Sequence, residues 1–387
     1  MYNSRIVEFF LIFACTIMQS CTVKGQDSIP AHFRNEIRES IILLESGALA
    51  DRDFSETFIA HLECHWSATV ENCRFRGSYI KLAGFEGYCA NCDFTNCRIG
   101  GGILNLPQEN LVQLKNFQER RFTEISFGQT SLKGVDLTGF EFSHGQFDSL
   151  DLSESRLQNV LFAHCYLPNL TQEQFCATRN YAQGNFFDTL FHSQMRLKKV
   201  SLRGMFFGSH RHSSPLVLDA DSDLTDAVFV NVDLSGSELT LEQIKTTWNY
   251  QADAMALARW PEWVEKELKI QRQKAPQYYL PGRSEAYYSA PKKCFLPARQ
   301  TFLRPEDQNL SNRVILKGQM LCSFENIPMN ACVFIDCDLT ESKNLTLEQV
   351  KSTWNYKAGR MSLCKWPKHI EKVLEEEEKA KAQEEKK

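Results

Sequence analysis

The sequence lacks a dominant charge of either sign, since its 387 residues include 44 Lys and Arg against 48 Asp and Glu. The resulting net charge of −4 excludes the strong positive field that is typical of nucleic-acid-binding proteins, so no nucleic-acid partner is expected. It also lacks a Gly-x-Ser-x-Gly turn, a His-Glu-x-x-His helix and a Gly-rich loop followed by Lys and Ser or Thr. We therefore expect neither catalysis nor a cofactor.

The amino end has no apolar run long enough to cross a membrane. Residues 7–18 are apolar apart from Glu8 and Thr16, and this run is shorter than the about 20 residues that a membrane-spanning helix needs. It suits the core of a signal peptide instead. The following Met18-Gln19-Ser20-Cys21 resembles a bacterial lipobox, in which a small residue precedes a Cys that is cleaved and lipidated. We expect residues 1–21 to direct export to the cell envelope, lipid-anchored at Cys21 or periplasmic.

Large apolar residues recur at every fifth position over a long stretch of the chain. These positions hold, without interruption, Phe122, Phe127, Leu132, Leu137, Phe142, Phe147, Leu152, Leu157, Phe162 and Leu167. A helix repeats every 3.6 residues and a strand every two, so a period of five indicates a different unit. The same phase returns in blocks at residues 70–104, 197–239 and 324–339, and a small residue often stands two positions before the large one.

A large residue every five, with a small one two before it, resembles the pentapeptide-repeat family, whose usual unit is Ala-Asp/Asn-Leu-x-x. The units closest to that pattern are Cys92-Asp93-Phe94-Thr95-Asn96, Ser222-Asp223-Leu224-Thr225-Asp226, Val232-Asp233-Leu234-Ser235-Gly236 and Cys337-Asp338-Leu339-Thr340-Glu341. The resemblance implies a mainly β fold, a right-handed quadrilateral β-solenoid with four units per turn and both residues of each unit pointing inward. Residues twenty apart then form columns, such as Phe122, Phe142 and Phe162, spaced by about 4.8 Å.

A second repeat follows the repeat blocks and predicts helical caps. The segment Leu239–Tyr250 returns at residues 345–356, and a diverged copy begins at Leu170. Each copy starts with Thr-x-x-Gln, which is the signature of a capping box at the start of a helix. We interpret these segments as helices that close an end of a coil and shield its edge strands.

The expected organisation therefore has two solenoid modules with helical caps. The predicted parts are a signal at 1–21, an amino-terminal helix at 28–50, a solenoid at 54–270 with capping helices at 171–182 and 240–270, a basic Pro/Tyr-rich linker at 271–308, a second module at 309–375, and a charged tail at 376–387. The linker is interpreted as a semi-rigid spacer, with binding to anionic lipid as the alternative. The sequence leaves open whether the two modules pack together.

The cysteines and histidines are candidates for metal or redox chemistry, but the repeat explains their spacing. Cys73, Cys92 and Cys97 occupy the small inward position of their units, so a zinc site is not expected. Cys73 and Cys92 fall in one column on adjacent turns, which makes this pair a possible disulfide in an exported protein. His144 and His164 are also twenty apart at an outward position, and too few ligands surround them for a metal site.

The leading functional hypothesis is an exported, membrane-tethered scaffold that binds an unknown protein or envelope component. A homodimer through a capped end is possible, with Trp248, Trp260 and Trp354 forming either that interface or packing within a module. The alternative is a DNA mimic that binds type II topoisomerases, as some cytoplasmic members of this family do. The acidic residues of the long block favour the alternative: Glu124, Asp136, Glu141, Asp148, Asp151 and Glu154.

Overall fold

The computed structural model describes residues 40–44, 46–147, 149–191, 194–209, 214–270, 294–295, 309–319 and 323–384. The predicted signal segment, Cys21 and all of the linker except residues 294–295 lie outside the described residues. We call residues 40–270 the body and residues 309–384 the second module. Within the described residues the chain is mainly β, and its strands pair in parallel.

Most strands of the body are only two to five residues long, as expected for sides of a tightly turning coil. They are β1 (Ser40–Leu44), β2 (Gly47–Ala50), β3 (Phe58–Cys64), β4 (Ala68–Glu71), β5 (Tyr79–Phe85), β6 (Tyr88–Ala90), β7 (Arg98–Ile99), β8 (Gly102–Leu104), β9 (Arg121–Thr123), β10 (Ile125–Phe127), β11 (Glu141–Ser143), β12 (Leu161–Ala163), β13 (Tyr166–Leu167), β14 (Asn185–Phe187), β15 (Leu190–Phe191), β16 (Met195–Leu197), β17 (Phe206–Gly208), β18 (Ser214–Leu218), β19 (Val228–Val230) and β20 (Val232–Asp233).

Three further strands and the helices complete the described elements. The strands are β21 (Cys294–Phe295), β22 (Val314–Gln319) and β23 (Val333–Asp338). The helices are α1 (Gln108–Leu111), α2 (Lys115–Gln118), α3 (Gln172–Ala177), α4 (Arg179–Gln183), α5 (Leu241–Thr246), α6 (Trp248–Gln251), α7 (Glu262–Glu267), α8 (Leu347–Ser352), α9 (Trp354–Lys357) and α10 (Lys368–Glu384), with 3₁₀ turns at Met255–Leu257 and Met361–Leu363.

The register between turns confirms the five-residue repeat. Phe142 in β11 lies opposite Phe122 in β9 and Phe162 in β12, so residues twenty apart are neighbours on adjacent turns. The same turns also pair through the bridges Ser131–Asp151, Asp136–Arg156 and Gln146–Tyr166. Pairing sites therefore recur every five residues around a turn of twenty, which corresponds to four units per turn.

The predicted aromatic columns form the centre of the core. The ring centroids of Phe142 lie 5.7 Å from Phe122 and 5.4 Å from Phe162, with the rings nearly parallel. Phe127 and Phe147 form a second column at 5.6 Å. Stacked, fully buried aromatic rings contribute both apolar burial and favourable ring geometry, so each turn is stabilised by the next.

The predicted amino-terminal helix at 28–50 is wrong over residues 40–50, and residues 28–39 lie outside the described part. Residues 40–44 form β1 and pair with β3 of the next turn, while residues 47–50 form β2 and pair with β4. Ile42 and Leu44 pack against the core whereas Leu43 is exposed, which is the two-residue alternation of a strand. The segment forms strands despite the helical spacing of its apolar residues. Pairing with β3 and β4 makes it the first described turn of the coil.

The three predicted capping boxes are present. The hydroxyls of Thr171, Thr240 and Thr346 each accept a hydrogen bond from the backbone N–H three residues on, and the Gln there bonds back. Each motif also contains a buried Asn. Its side-chain amide forms the two backbone hydrogen bonds that a strand would otherwise form at that position. Asn249 Oδ1 accepts from the Phe229 backbone N–H and its Nδ2 donates to the Phe229 carbonyl, both at 2.8 Å. Asn180 and Asn355 bond Phe162 and Phe334 in the same way.

The helices at residues 172–183 do not close an end of the coil, contrary to their interpretation as a cap. After them, β14 pairs with β17 and β15 pairs with β13, so the body continues for further turns. Asn180 supplies the ladder bonds to the preceding turn, and the strand that starts at Asn185 resumes pairing with the following one. The helical pair is therefore one side of a turn within the body.

Candidate interaction surfaces

The amino-terminal turns carry an exposed apolar surface, formed by Leu43, Trp66, Leu82, Tyr88 and Ile103. We call it the open surface. The exposed fractions of Trp66, Tyr88 and Leu43 are 73%, 65% and 59%. Five of the nine exposed large apolar residues in the described part of the chain thus lie within residues 43–103. Such a concentration of exposed apolar side chains is typical of a binding surface.

The strand register brings these residues to neighbouring turns. Leu43 lies opposite Glu63, Glu63 opposite Gly84, and Gly84 opposite Ile103, so one outward column runs across four turns. Leu82 lies in the adjacent column, opposite His61. His61 and Glu63 form an ion pair at 3.4 Å when the imidazole is protonated, which places one polar contact among the apolar residues.

Trp66 and Tyr88 flank the corner beside these columns. Trp66 lies in the turn between β3 and β4, which is fixed by hydrogen bonds from the His65 N–H to the Leu44 carbonyl and from the Ala68 N–H to the His65 carbonyl. Tyr88 begins β6 and lies opposite Thr69. These residues match none of the sequence motifs described above. The sequence signal for the open surface is that its large apolar residues fall outside the five-residue phase of Ile80, Phe85 and Leu104.

A second apolar surface lies on the last turns of the body and is covered by the second module. The outward residues of β14, β17 and β19 pack against those of β22 and β23 in one cluster, which includes Phe187, Phe206, Val228, Val230, Val314, Leu316, Val333 and Ile335. We call the body's part of this cluster the covered surface. The two modules therefore pack together, a point that the sequence left open.

The three tryptophans proposed for an interface or for packing have different roles. Trp248 Nε1 donates to the Ala331 carbonyl, and Trp354 Nε1 donates to the Asp226 carbonyl, both at 2.8 Å. Both indoles thus join the body to the second module within one chain. Trp260 instead packs on Phe229 inside the body, with ring centroids 5.9 Å apart.

The two histidines predicted to be neighbours lie next to this interface. The rings of His144 and His164 are 5.0 Å apart. His164 Nδ1 lies 3.6 Å from Asp188 Oδ2, and its Nε2 lies 3.9 Å from Asp336 Oδ2 of the second module. The two carboxylates approach opposite nitrogens of the ring, so they do not converge on one point beside it.

The predicted disulfide pair consists of free thiols in the structure. Cys73 and Cys92 do occupy adjacent turns, since the Asp93 N–H donates to the Cys73 carbonyl at 2.9 Å. A hydrogen bond from Cys89 lowers the pKa of Cys92 to about 7, while the same contact raises the pKa of Cys89. Burial raises the pKa of Cys64 to about 12. A disulfide between Cys73 and Cys92 remains a prediction, and lipidation of Cys21 lies outside the described residues.

Two acidic residues of the long block form ion pairs with neighbouring cations. Lys133 Nζ lies 3.0 Å from Glu154 Oε1, and Arg121 Nη2 lies 3.6 Å from Glu141 Oε1. Asp136 and Arg156 lie opposite each other on adjacent turns in a backbone bridge. Asp148 lies outside the described residues. A DNA mimic needs a continuous negative surface, and this pairing reduces the charge available for one.

Among the described residues, no three or more His, Cys, Asp or Glu side chains are arranged to hold a metal ion. Of the helices in that part of the chain, none combines the length and apolar character that crossing a membrane requires.

No protein-family model matches the chain, and no curated protein is significantly similar to it. Two solved proteins are among the structural matches. The full-length structure of QnrB1, a plasmid-mediated fluoroquinolone resistance protein, is 16% identical over 58% of this chain and 98% of that chain, with a TM-score of 0.17. HetL, a pentapeptide repeat protein involved in heterocyst differentiation regulation from the cyanobacterium Nostoc, is 12% identical over 77% and 88%, with a TM-score of 0.10. The five-residue repeat is observed directly in the register between this chain's own turns.

Proposed function

We propose that this pentapeptide-repeat chain is an exported, membrane-tethered scaffold that binds a protein or another envelope component through the open surface, without catalysis. The body supplies a rigid frame of stacked turns, and the exposed side chains at residues 43–103 supply the contact. The right-handed, four-sided form of the coil belongs to the same proposal, and four pairing sites per turn support its four sides.

The exposure of Trp66 and Tyr88 is the observation that carries this proposal. Aromatic residues are enriched in the buried centres of protein interfaces, where one ring contributes much area with little loss of conformational freedom. Burying apolar surface contributes about 25 cal/mol per Å², so these two exposed rings offer a partner several kcal/mol. The remaining exposed apolar residues named for the described part of the chain, Val112, Tyr250, Trp263 and Val373, are spread over other elements.

A lipid on Cys21 would place the open surface close to the membrane. Ser40 at the start of β1 lies nineteen positions after Cys21, and a chain of that length reaches at most about 60–70 Å. Intact-mass analysis of the native protein after fractionation of cells tests this step. We expect an amino terminus at Cys21 with added lipid mass in the envelope fraction. A full-length, unmodified protein in the cytosol would overturn both export and tethering.

Site-specific photo-crosslinking tests the binding surface. A photoreactive phenylalanine analogue is placed at Trp66 in one variant and at Trp263, which is exposed on α7, in the control. We expect position 66 to give a discrete intermolecular adduct in native cells and position 263 to give none. Equal adducts from both positions, or an adduct from 263 alone, would contradict the open surface as the contact site.

A further inference from the structure

The contacts between the body and the second module are reciprocal, because each module makes the same hydrogen bond to the other. Trp248 and Trp354 occupy the same place in the two long copies of the helical motif, and each donates to a carbonyl of the opposite module. The accepting residues, Asp226 and Ala331, also correspond, since each stands three residues before the inward Phe of its strand and has a positive φ near 55°. Reciprocal contacts of this kind define an isologous interface, which normally forms between two copies of one chain.

The two surfaces in contact are alike in chemistry as well as in position. Phe206, Val228 and Val230 of the body meet Val314, Val333 and Ile335 of the second module, and all six are buried. At corresponding outward positions in the middle of the body, β11 carries Glu141 and Ser143. The turns that the second module covers therefore carry apolar residues at these outward positions, whereas β11 in the middle of the body carries polar ones.

We propose that the second module is a built-in copy of a dimer partner, so that the chain is a closed, monomeric pseudo-dimer, and that Arg360 is the specificity residue that directs this module onto the body. The proposal is independent of the function proposed for the open surface.

Arg360 breaks the symmetry between the two modules. It corresponds to Ala254 of the body, because each backbone N–H donates at 2.7 Å to the carbonyl of the Asn in its helical motif. The guanidinium of Arg360 crosses the interface, where Nε donates to the Gly204 carbonyl at 2.8 Å. Its other nitrogens lie 3.4 Å from the carbonyls of Ala182 and Arg203. Ala254 has no side chain that reaches across in return.

Two glycines of the body form the seat for Arg360. Gly184 and Gly204 both have positive φ, and a Cβ on Gly184 would come within 2.6 Å of the guanidinium carbon. A Cβ on Gly204 would lie 3.2 Å from Ala358 Cβ of the second module. The residue that corresponds to Gly204 in the second module is Asn312, which also has a positive φ. The Asn312 N–H donates to the Asn330 carbonyl as the Gly204 N–H donates to the Thr225 carbonyl. Asn312 carries a side chain where Gly204 has none, so this glycine of the Arg360 seat is not repeated in the second module.

The first test is the mass of the intact chain by sedimentation velocity over a wide concentration range. We expect a monomer throughout. A wild-type dimer that is lost on Trp354→Ala would overturn the closed arrangement, because the matched surfaces would then pair between chains.

The second test measures docking after the modules are separated covalently. A protease site is placed in the linker of the full chain, which is folded and then cut, and the affinity of the two fragments is measured. We expect Arg360→Ala to weaken the association by at least about tenfold, as expected for loss of hydrogen bonds from a charged group. Gly204→Ala, on the opposite side of the contact, should weaken it as well.

Arg259→Ala is the matched control, since Arg259 pairs with Asp233 at 3.1 Å within the body. It should leave the affinity unchanged. Wild-type affinity in both Arg360→Ala and Gly204→Ala, with circular dichroism showing folded proteins, would remove Arg360 from the role of specificity residue. Fragments of the wild-type chain that separate at once would overturn the built-in partner itself.

Discussion

The first and the last turns of the body both place large apolar side chains on the outside of the coil, yet only the last turns are covered. Phe206 is 0% exposed beneath the second module, whereas Trp66 is 73% exposed. The strands of both regions pair in parallel and enclose a core with buried aromatic rings. The five-residue repeat therefore determines which side chains point inward. The exposure of the outward side chains depends on whether the second module covers their turns.

The largest contrast between these regions is expected from removal of one tryptophan in each. Trp354→Ala opens a cavity between the modules and leaves the Asp226 carbonyl without its indole donor, so we expect a loss of about 3–5 kcal/mol in the free energy of unfolding. Trp66→Ala removes an exposed ring and should change that free energy by less than about 0.5 kcal/mol. Denaturant unfolding of both variants measures the difference. A similar loss of unfolding free energy in the two variants would contradict the view that the second module covers one surface and leaves the other exposed.

A smaller effect is expected from the buried Asn of the helical motif, whose amide takes the place of a strand in the ladder. Asn249→Ala leaves the buried N–H and carbonyl of Phe229 unpaired, which should cost about 2–4 kcal/mol. Gln251→Ala, on the exposed side of the same helical motif, should cost less than about 0.5 kcal/mol. Thermal unfolding of both variants checks this ranking. An Asn249→Ala variant as stable as the wild type would show that the hydrogen bonds of Asn249 do not stabilise the ladder.

The smallest effect concerns the polar outward positions between the two apolar regions. Hydrogen bonds from Thr138 lower the pKa of Asp136, and those from Ser153 lower the pKa of Asp151. Because the folded values lie below the ordinary value of 3.8, the stability that these carboxylates contribute is present above that pH. It is lost as the pH falls through the folded values. We expect the unfolding temperature to drop between pH 5 and 3, and to drop less in Asp136→Asn; an identical drop in that variant would contradict this origin.

The inward half of the structure was readable from the sequence because its signal is periodic. The spacing of Phe122, Phe142 and Phe162 predicts their column, and Thr-x-x-Gln predicts each helix start. The helical spacing of Ile41 and Leu44 predicts a helix, and only their pairing with β3 shows that they belong to a strand. Arg360 gave no signal, since its three carbonyl partners lie more than 150 residues away in the chain.

The measurement that tests the account most directly is hydroxyl-radical footprinting of four aromatic residues, in the purified protein and in the native cell fraction that contains it. We predict that Trp66 and Tyr88 are oxidised rapidly in the purified protein and protected in the native fraction, while Trp248 and Trp354 are protected in both. Equal oxidation of Trp66 in the two samples would contradict the presence of a partner on the open surface. Rapid oxidation of Trp248 and Trp354 in the purified protein would contradict packing of the second module on the covered surface.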